Sequence, residues 1–516
     1  MHLSSAHFDR AAGVLLGTAV GDALGVPYEF DRIVLRAGEQ AQMLGGGLGT
    51  FAPGEWSDDT SMAVAIAEVA ATGADLTTDD ALDAIATSFL RWLDDGPPDI
   101  GVQTGHVLCA TRDRLRAGEP GAGRIMREES ENYAHHHPRS AGNGALMRTA
   151  AVALAHLDDR DHLAEAARAV ASLTHADPLA GDSCAIWCEA IRVAVLDGRF
   201  DIRAGLDLLP TERADQWSRW LDAAATYDPK SFNPNGFTVT ALQAAAAAIV
   251  QTPERHIVPC LHLQDSLHKA IRIGHDTDTV AAIAGALLGA RWGASAIPWR
   301  WRRDVHGWPA HDERARDSRG LVALATLTVS GGRPDRKGWP LVDMVRYSEE
   351  AFTEVVPHPF DAGVLLGTHA TVHHDADAVV SMCRVGRKQP CFGSASEVIE
   401  SRLLDSGDPG DNPNIEFVLA DTTDAVRGLR AEGKTVLLHC VAGQQRTPSV
   451  AVAYGVMLGY SAEESQQAIL AALPGARGHG RVWDASASLS DIRIVADAAS
   501  NAPEIGQSVT RTAHGR

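Results

Sequence analysis

The chain of 516 residues reads as two domains, an all-α domain followed by a smaller α/β domain. Three observations predict this. Residues 8–295 are dominated by Ala-rich segments whose apolar positions recur at helical spacing. The stretch "SGGRPDRKGW" at 330–339 has the composition of a linker. Beyond it, short Val-, Ile- and Leu-rich runs alternate with helical patterns, which is the rhythm of an α/β domain. The expected boundaries are 1–329 for the first domain, with its core at 8–295, then a linker at 330–340 and a second domain at 341–500. A disordered tail is expected at 501–516.

In the first domain the periodicity predicts helices over 61–72, 79–93, 144–156, 162–173, 181–196, 238–250 and 279–293. The loops between them carry Gly, Pro, Asp and His clusters: "LGGGLGTFAPGEWSDD", "DDGPPDIG", "HHHPRSAGNG" and "RIGHDTDT". Gly-rich loops in a helical domain mark places where the backbone approaches a ligand closely. The segment "IPWRWRRDVHGWPAHDERARDSRG" closes the domain, followed by a last helix near 320–329. In the second domain strands are expected at 363–368, 378–385, 399–405 and 434–440, and helices at about 415–432, 448–459 and 462–472.

Composition narrows the function classes. The net charge of −20 argues against general nucleic-acid binding and against an anionic membrane surface as partner. The longest apolar stretches, such as "VAAIAGALLGA" at 280–290, read as shorter than a membrane span. The opening "MHLSSAHFDRAAGVLLGTAVGD" has neither a basic n-region nor a cleavage site. Seven scattered cysteines suggest a reducing compartment, and a cytoplasmic protein is expected. Cys184 and Cys188, one helical turn apart, read as core residues.

Two segments place acids at the start of an apolar helix. "GEWSDDTSMAVAIAEVA" sets Ser57, Asp58, Asp59 and Thr60 there, and "GHDTDTVAAIAGALLGA" sets Asp276, Asp278 and Thr279. Either alone reads first as a helix cap. Together they bring four carboxylates to buried helix ends, where a cap needs one oxygen. Such a group repels itself unless a cation neutralises it. An all-oxygen donor set selects a hard ion, Mg²⁺ or Mn²⁺.

The motifs "GVLLGTAVGDALGVPYEF", "WSDDTSMA", "PPDIG", "HPRSAGNGALMR", "SLTHADP" and "GHDTDTVAAIAGALLGA" run in the order of one known family. Residues 8–295 resemble the ADP-ribosylglycohydrolases, whose bacterial representative reactivates ADP-ribosylated dinitrogenase reductase. The resemblance implies an all-α fold with a pair of Mg²⁺ or Mn²⁺ ions in a central cleft and an ADP-ribosylated substrate. It implies that Ser57, Asp58, Asp59, Asp276, Asp278 and Thr279 ligate the pair, and that Glu29 in "PYEF" is the catalytic loop acid. Asp99 would line the cleft, Gly142, Asn143 and Gly144 would face the phosphates and distal ribose, and His175 would lie near the ligand. The run His135–His137 reads as a loop feature. The chemistry is consistent: an oxocarbenium-like state at C1″ suits paired metals, an activated water and an acid.

A second constellation lies at "VLLHCVAGQQRTPSVAVAYGVMLGY". Cys-x₅-Arg alone is weak, since chance supplies roughly half an occurrence per chain of this composition. Its context is stronger: an apolar strand precedes it, and a helix with Pro448 in its first turn follows. Loop N–H groups and a helix N-terminus form an anion cradle. The same field favours the thiolate of Cys440 as nucleophile, Arg446 suits two phosphate oxygens, and Thr447 suits the leaving sulfur.

Residues 355–500 thus resemble the cysteine-dependent dual-specificity/tyrosine phosphatases, with Gly443 in the phosphate loop and no metal required. The resemblance implies a phosphorylated substrate and an upstream acid, Asp405 ahead of Asp408 and Asp411. Neutral Gln444 and Gln445 suggest a singly phosphorylated substrate. The expectation is a bifunctional hydrolase. Two other classes stay open: a C-terminal module that only binds phosphate, and an N-terminal domain that reads ADP-ribose without cleaving it.

Overall fold

The computed structural model describes residues 3–311, 314–473 and 475–487. The expected tail at 501–516, and the end of the second domain from 488, lie outside the described residues. The first domain is built from helices around one long, largely buried pair. The helix Ser5–Gly25 is buried from Ala11 to Gly25, and Thr277–Trp292 is buried along almost its whole length.

The two helices run antiparallel with their backbones in direct contact. A methyl group added at Gly13, Gly17 or Gly21 would overlap the backbone of Gly289, Gly285 or Ala281, and at Gly25 it would overlap Asp278. The overlap is reciprocal, since a methyl at Gly285 or Gly289 would strike the carbonyl of Gly17 or Gly13. The four-residue glycine spacing in "GVLLGTAVGDALG" places these positions on one helix face. The opening helix is long and apolar enough, by length and composition, to cross a membrane, although the sequence reading placed every apolar stretch below that length. Its burial inside this domain accounts for the apolarity.

The other helices follow local signals. Thr78 caps Asp79–Asp94 by accepting from the Ala81 N–H, and Leu82, Ile85, Phe89 and Trp92 form its buried stripe. Asp177 caps Pro178–Asp197, which ends on left-handed Gly198. The helix expected at 144–156 is restricted to Ala150–Ala155, because residues 142–149 turn back as a Gly-containing loop. The run His135–His137 closes the helix Ala122–His136, with His137 stacked on Tyr133 at 4.0 Å.

The segment after residue 295 departs from the all-α expectation. It forms a short helix, Trp299–Asp304, and an antiparallel hairpin of β1 (His306–His311) and β2 (Arg314–Asp317). The helix Ser318–Val329 then returns to the first core.

The second domain is a five-stranded sheet of β3 (Val356–His358), β4 (Asp361–Thr368), β5 (Ala378–Ser381), β6 (Glu397–Glu400) and β7 (Val436–Cys440), in the order β3-β4-β7-β5-β6. All neighbours are parallel except β3 with β4. The helices Ile415–Ala431 and Arg446–Met457 pack with Val436, Leu438 and Cys440 on one face, whereas Leu437 joins a smaller cluster on the other. The strand expected at 399–405 ends at Glu400. Beyond it the chain turns its polar groups to other partners, with Arg402 paired to Asp9 at 3.3 Å and the Leu403 carbonyl accepting from Arg446.

The two domains exchange residues across a polar seam. Phe417 lies in the first core and Trp299 in the second. The Trp299 N–H and indole N–H donate to Asp421 and Asp424, each at 2.8 Å. Arg302 pairs with Asp421 at 2.8 Å, and Arg303 with Glu397 at 2.6 Å.

Candidate functional site

The helix pair sets where the acids meet. Because Ser5–Gly25 and Thr277–Trp292 are antiparallel, the C-terminal end of the first lies beside the N-terminal end of the second. Asp22, one turn before Gly25, therefore faces Asp278. The N-terminus of the helix Asp58–Ala70 completes the site. Neither Ser57 nor Asp276 makes a side-chain capping bond. Asp22 performs that role for Asp58–Ala70 instead, accepting from the Ser57 N–H at 2.9 Å, the Thr60 N–H at 3.0 Å and the Thr60 hydroxyl at 2.6 Å.

The result is two groups of carboxylates that share Asp278. Asp22, Asp59 and Asp278 each bring an oxygen within 4.8 Å of the others, and so do Glu29, Asp276 and Asp278. Ser57 donates to Asp59 at 3.0 Å, and the Thr279 hydroxyl points to the same oxygen at 3.4 Å. The other oxygen of buried Asp59 has no partner, a costly state for an acceptor. Asp276 is held by Asn143, whose side-chain N–H donates at 2.7 Å, and its own N–H donates to Asn235 at 3.0 Å. Asp58 and Asp99 sit half-buried at the edge. Burial, reinforced by like charges, raises Asp58 to about 7 and Glu29 to about 8. Asp22 rises to about 6, chiefly through burial, and Asp59 and Asp278 are pushed well above the ordinary carboxylate range for the same reasons. Oxygen donors, an orphaned carboxylate oxygen and mutual repulsion all fit hard divalent cations.

Backbone strain is concentrated at this site. Phe30, Asp31 and His275 are the non-glycine residues with positive φ among the described residues, at 47°, 58° and 67°. They flank Glu29 and Asp276, and the Phe30 N–H donates to the His275 carbonyl at 2.6 Å. Strain of about 1–3 kcal/mol per residue persists where the surroundings over-determine the geometry. Glu29 itself accepts from the Leu48 N–H at 3.3 Å.

The loop Gly142–Gly144 lies against His175. A side chain at Gly142 or Gly144 would crowd the imidazole, whose Nε2 faces the loop. Arg148, wholly buried, donates to the Thr174 hydroxyl at 2.7 Å, and that hydroxyl meets His175 Nδ1 at 2.8 Å. Burial, then the charge of Arg148, lowers His175 to about 3, so the ring stays neutral. Asp22, Asn235 and Arg148 were given no role by sequence reasoning. The sequence signal for Asp22 is one acid within the apolar run that follows Asp9 and Arg10 in its helix.

The second constellation lies at the C-terminal end of β7, where Cys440 stands opposite Thr368 of β4. Residues 441–445 form a loop, with Gly443 at φ 70°, and the helix Arg446–Met457 follows at once. One guanidinium nitrogen of Arg446 donates to the Met382 carbonyl at 2.5 Å and the Leu403 carbonyl at 3.2 Å. Its Nε is buried without a partner. Thr447 is buried and bonds the Gly367 carbonyl at 3.4 Å, while the Gln445 side chain donates to the His479 carbonyl at 3.0 Å. Asp408 and Asp411 are engaged in a local turn, accepting from the Gly410 N–H and the Ser406 hydroxyl. Asp405 is exposed on the segment that Arg446 holds through Leu403.

Comparison with known proteins places the first domain. The chain is 30% identical over 312 residues to an ADP-ribosylarginine hydrolase Tri1 of Pseudomonas putida (strain GB-1), covering 59% of this chain and 76% of the relative. It is 29% identical to an ADP-ribosyl-[dinitrogen reductase] glycohydrolase of Rhodospirillum rubrum, over 62% of this chain and 97% of that one. A solved ADP-ribosylglycohydrolase-related protein complex is 28% identical, with a TM-score of 0.48, and covers 63% of this chain and 99% of that chain. Residues 3–331 match the ADP-ribosylglycohydrolase family profile, and the chain belongs to that family.

Proposed function

We propose that the first domain hydrolyses the glycosidic link between ADP-ribose and a modified protein, with arginine as the favoured acceptor. The observation that carries this is the pair of carboxylate groups sharing Asp278, set beside the Gly142–Gly144 loop. The arginine preference rests on the Tri1 relative. In this reading Ser57, Asp58, Asp59, Asp276, Asp278 and Thr279 hold a pair of Mg²⁺ or Mn²⁺ ions. Bound there, the cations would hold ribose hydroxyls and acidify a water.

The chain's own residues divide the remaining work. With cations in place to offset the burial and like charge that otherwise keep it protonated to about pH 8, Glu29, held by Leu48, would take a proton from the attacking water. Asn143 fixes the orientation of Asp276, and Asp22 fixes the helix end carrying Asp58 and Asp59. Asp99 closes the edge of the cleft. Gly142–Gly144 let the backbone approach the phosphates and distal ribose, with the Nε2 of His175 facing that loop.

For the second domain we propose cysteine-dependent phosphomonoester hydrolysis. The loop geometry supports it: Cys440 ends a central parallel strand, a helix begins at Arg446, and a buried Arg446 Nε lacks a partner. Gly443 permits the turn, the Thr447 hydroxyl would turn from the Gly367 carbonyl to assist the leaving sulfur, and Asp405 is the general acid. The exposure of Asp405, beside the engaged Asp408 and Asp411, favours that assignment. A phosphate-binding module without turnover is the second reading for this domain.

Three outcomes are expected. Wild-type protein releases ADP-ribose from ADP-ribosylarginine protein in Mg²⁺, and Asp59→Asn or Asp278→Asn loses on the order of 100-fold or more; release unchanged by chelator or by either variant contradicts the assignment. Wild-type protein cleaves an aryl phosphate and Cys440→Ser does not, whereas equal rates reject Cys440 as nucleophile. The third concerns stability without metal. Asp22, Asp58 and Glu29 titrate at about 6, 7 and 8 when folded, above the 3.8 to 4.5 of ordinary carboxyls. The folded state therefore retains protons that the unfolded chain has released, and Tm falls as pH rises from about 4 to about 8. Mg²⁺ removes that repulsion and raises Tm most at the alkaline end. Calorimetric scans across this range, with and without Mg²⁺, check the sign.

A further inference from the structure

We propose a second metal site in the first domain, a His₂Asp site for Zn²⁺ formed by Asp75, His156 and His162. It lies at the far end of the helix Asp58–Ala70, about 20 Å from the acidic centre by helix rise. One ligand atom from each residue falls within 4.8 Å of the other two. His162 Nε2 and an oxygen of Asp75 are 2.9 Å apart, near the separation of about 3.3 Å that two ligands of one tetrahedral Zn²⁺ keep. The two imidazoles meet edge to face, with centroids 4.7 Å apart.

The independent observation is His156. Its side chain is buried at 6% exposure, and its Nε2 has no hydrogen-bond partner. A core imidazole with an unused nitrogen normally finds a carbonyl or hydroxyl; here the ring packs edge to face on a second imidazole, with one of its nitrogens within 4.8 Å of ligand atoms of His162 and Asp75. Two imidazoles and one carboxylate form a borderline donor set, suited to Zn²⁺ and poorly suited to Mg²⁺. The same acid that orients His162 also accepts from the Thr77 N–H at 3.0 Å and the Thr77 hydroxyl at 2.8 Å, which supplies the outer shell such sites use.

The fold fixes all three. Asp159 caps the helix Arg160–Ser172 by accepting from the Asp161 and His162 N–H groups, so His162 is in the first turn of that helix. His156 ends Ala150–Ala155, and Asp75 lies in the turn after Asp58–Ala70. A bound ion would tie these three segments together with one open coordination position for water. Asp158 and Asp159 act on His156 and Glu165 lies 3.9 Å from His162, leaving the surroundings acidic enough to offset the excess charge.

The test uses the full chain in excess Mg²⁺, which occupies the acidic centre, titrated with Zn²⁺ and separately with Co²⁺. The proposal expects one tight equivalent, with the Co²⁺ spectrum of nitrogen and oxygen ligation and no thiolate charge-transfer band. His156→Gln and His162→Gln should each weaken it by about 10-fold or more, and Zn²⁺ should raise Tm of wild type but not of either variant. If buried His156 does not tolerate substitution, His162→Gln, whose side chain is partly exposed, decides. Binding by His162→Gln as tight as wild type, a thiolate band on the only tight equivalent, or no tight binding by wild type would each overturn the site.

Discussion

The backbone contact between Ser5–Gly25 and Thr277–Trp292 governs the first domain. Glycines at four-residue spacing let two helices approach until carbonyls of one lie where side chains of the other would stand. Such closeness fixes both the separation and the relative sliding of the two helices, because interiors packed at this density do not deform continuously. The acids inherit that order. Asp22 sits near the end of one helix and Asp278 at the start of the other, and the third helix is attached to them through the Asp22 bonds to Ser57 and Thr60. Carboxylates that would otherwise repel one another are thus held together by structure assembled elsewhere. The strained φ values at Phe30, Asp31 and His275 belong to the same arrangement, as the chain bends around the cleft.

Much of this was legible in the sequence, for definite reasons. An apolar helix that begins with Asp-x-Asp or Ser-Asp-Asp announces that charge is being brought to a buried end; Asp59, Asp276 and Asp278 of those residues join the two carboxylate groups, while Asp58 stays half-buried outside them. Asp22 was not legible in the same way. An acid within an apolar helical run carries no periodic or capping signature, and its partners are 35 and 38 residues away. Arg148 and Asn235 were hidden for a similar reason, because their role is to orient residues distant in sequence. The glycine repeat was visible, but the helix it would meet was not.

Errors in the element boundaries also have physical causes. The helix expected at 144–156 loses its first turns because the loop Gly142–Gly144 must approach His175 closely. The strand expected beyond Glu400 is absent because its backbone and side chains serve Arg446 and Asp9 instead of a neighbouring strand. The hairpin of β1 and β2 interrupts a region whose composition gave no alternating pattern. Phe417 and Trp299 each pack in the other region's core, and Arg302 and Arg303 pair with Asp421 and Glu397 across the same boundary. The connection between the domains is accordingly a packed seam.

The most direct test of this account is the Mn²⁺ affinity of Gly285→Ala beside that of Gly105→Ala. A methyl at Gly285 overlaps the carbonyl of Gly17, whereas one at Gly105 meets nothing nearer than 3.6 Å. If the helix contact sets the acidic centre, folded Gly285→Ala binds Mn²⁺ at least about 10-fold more weakly, and Gly105→Ala binds as wild type does. A folded Gly285→Ala protein with wild-type Mn²⁺ affinity would contradict it.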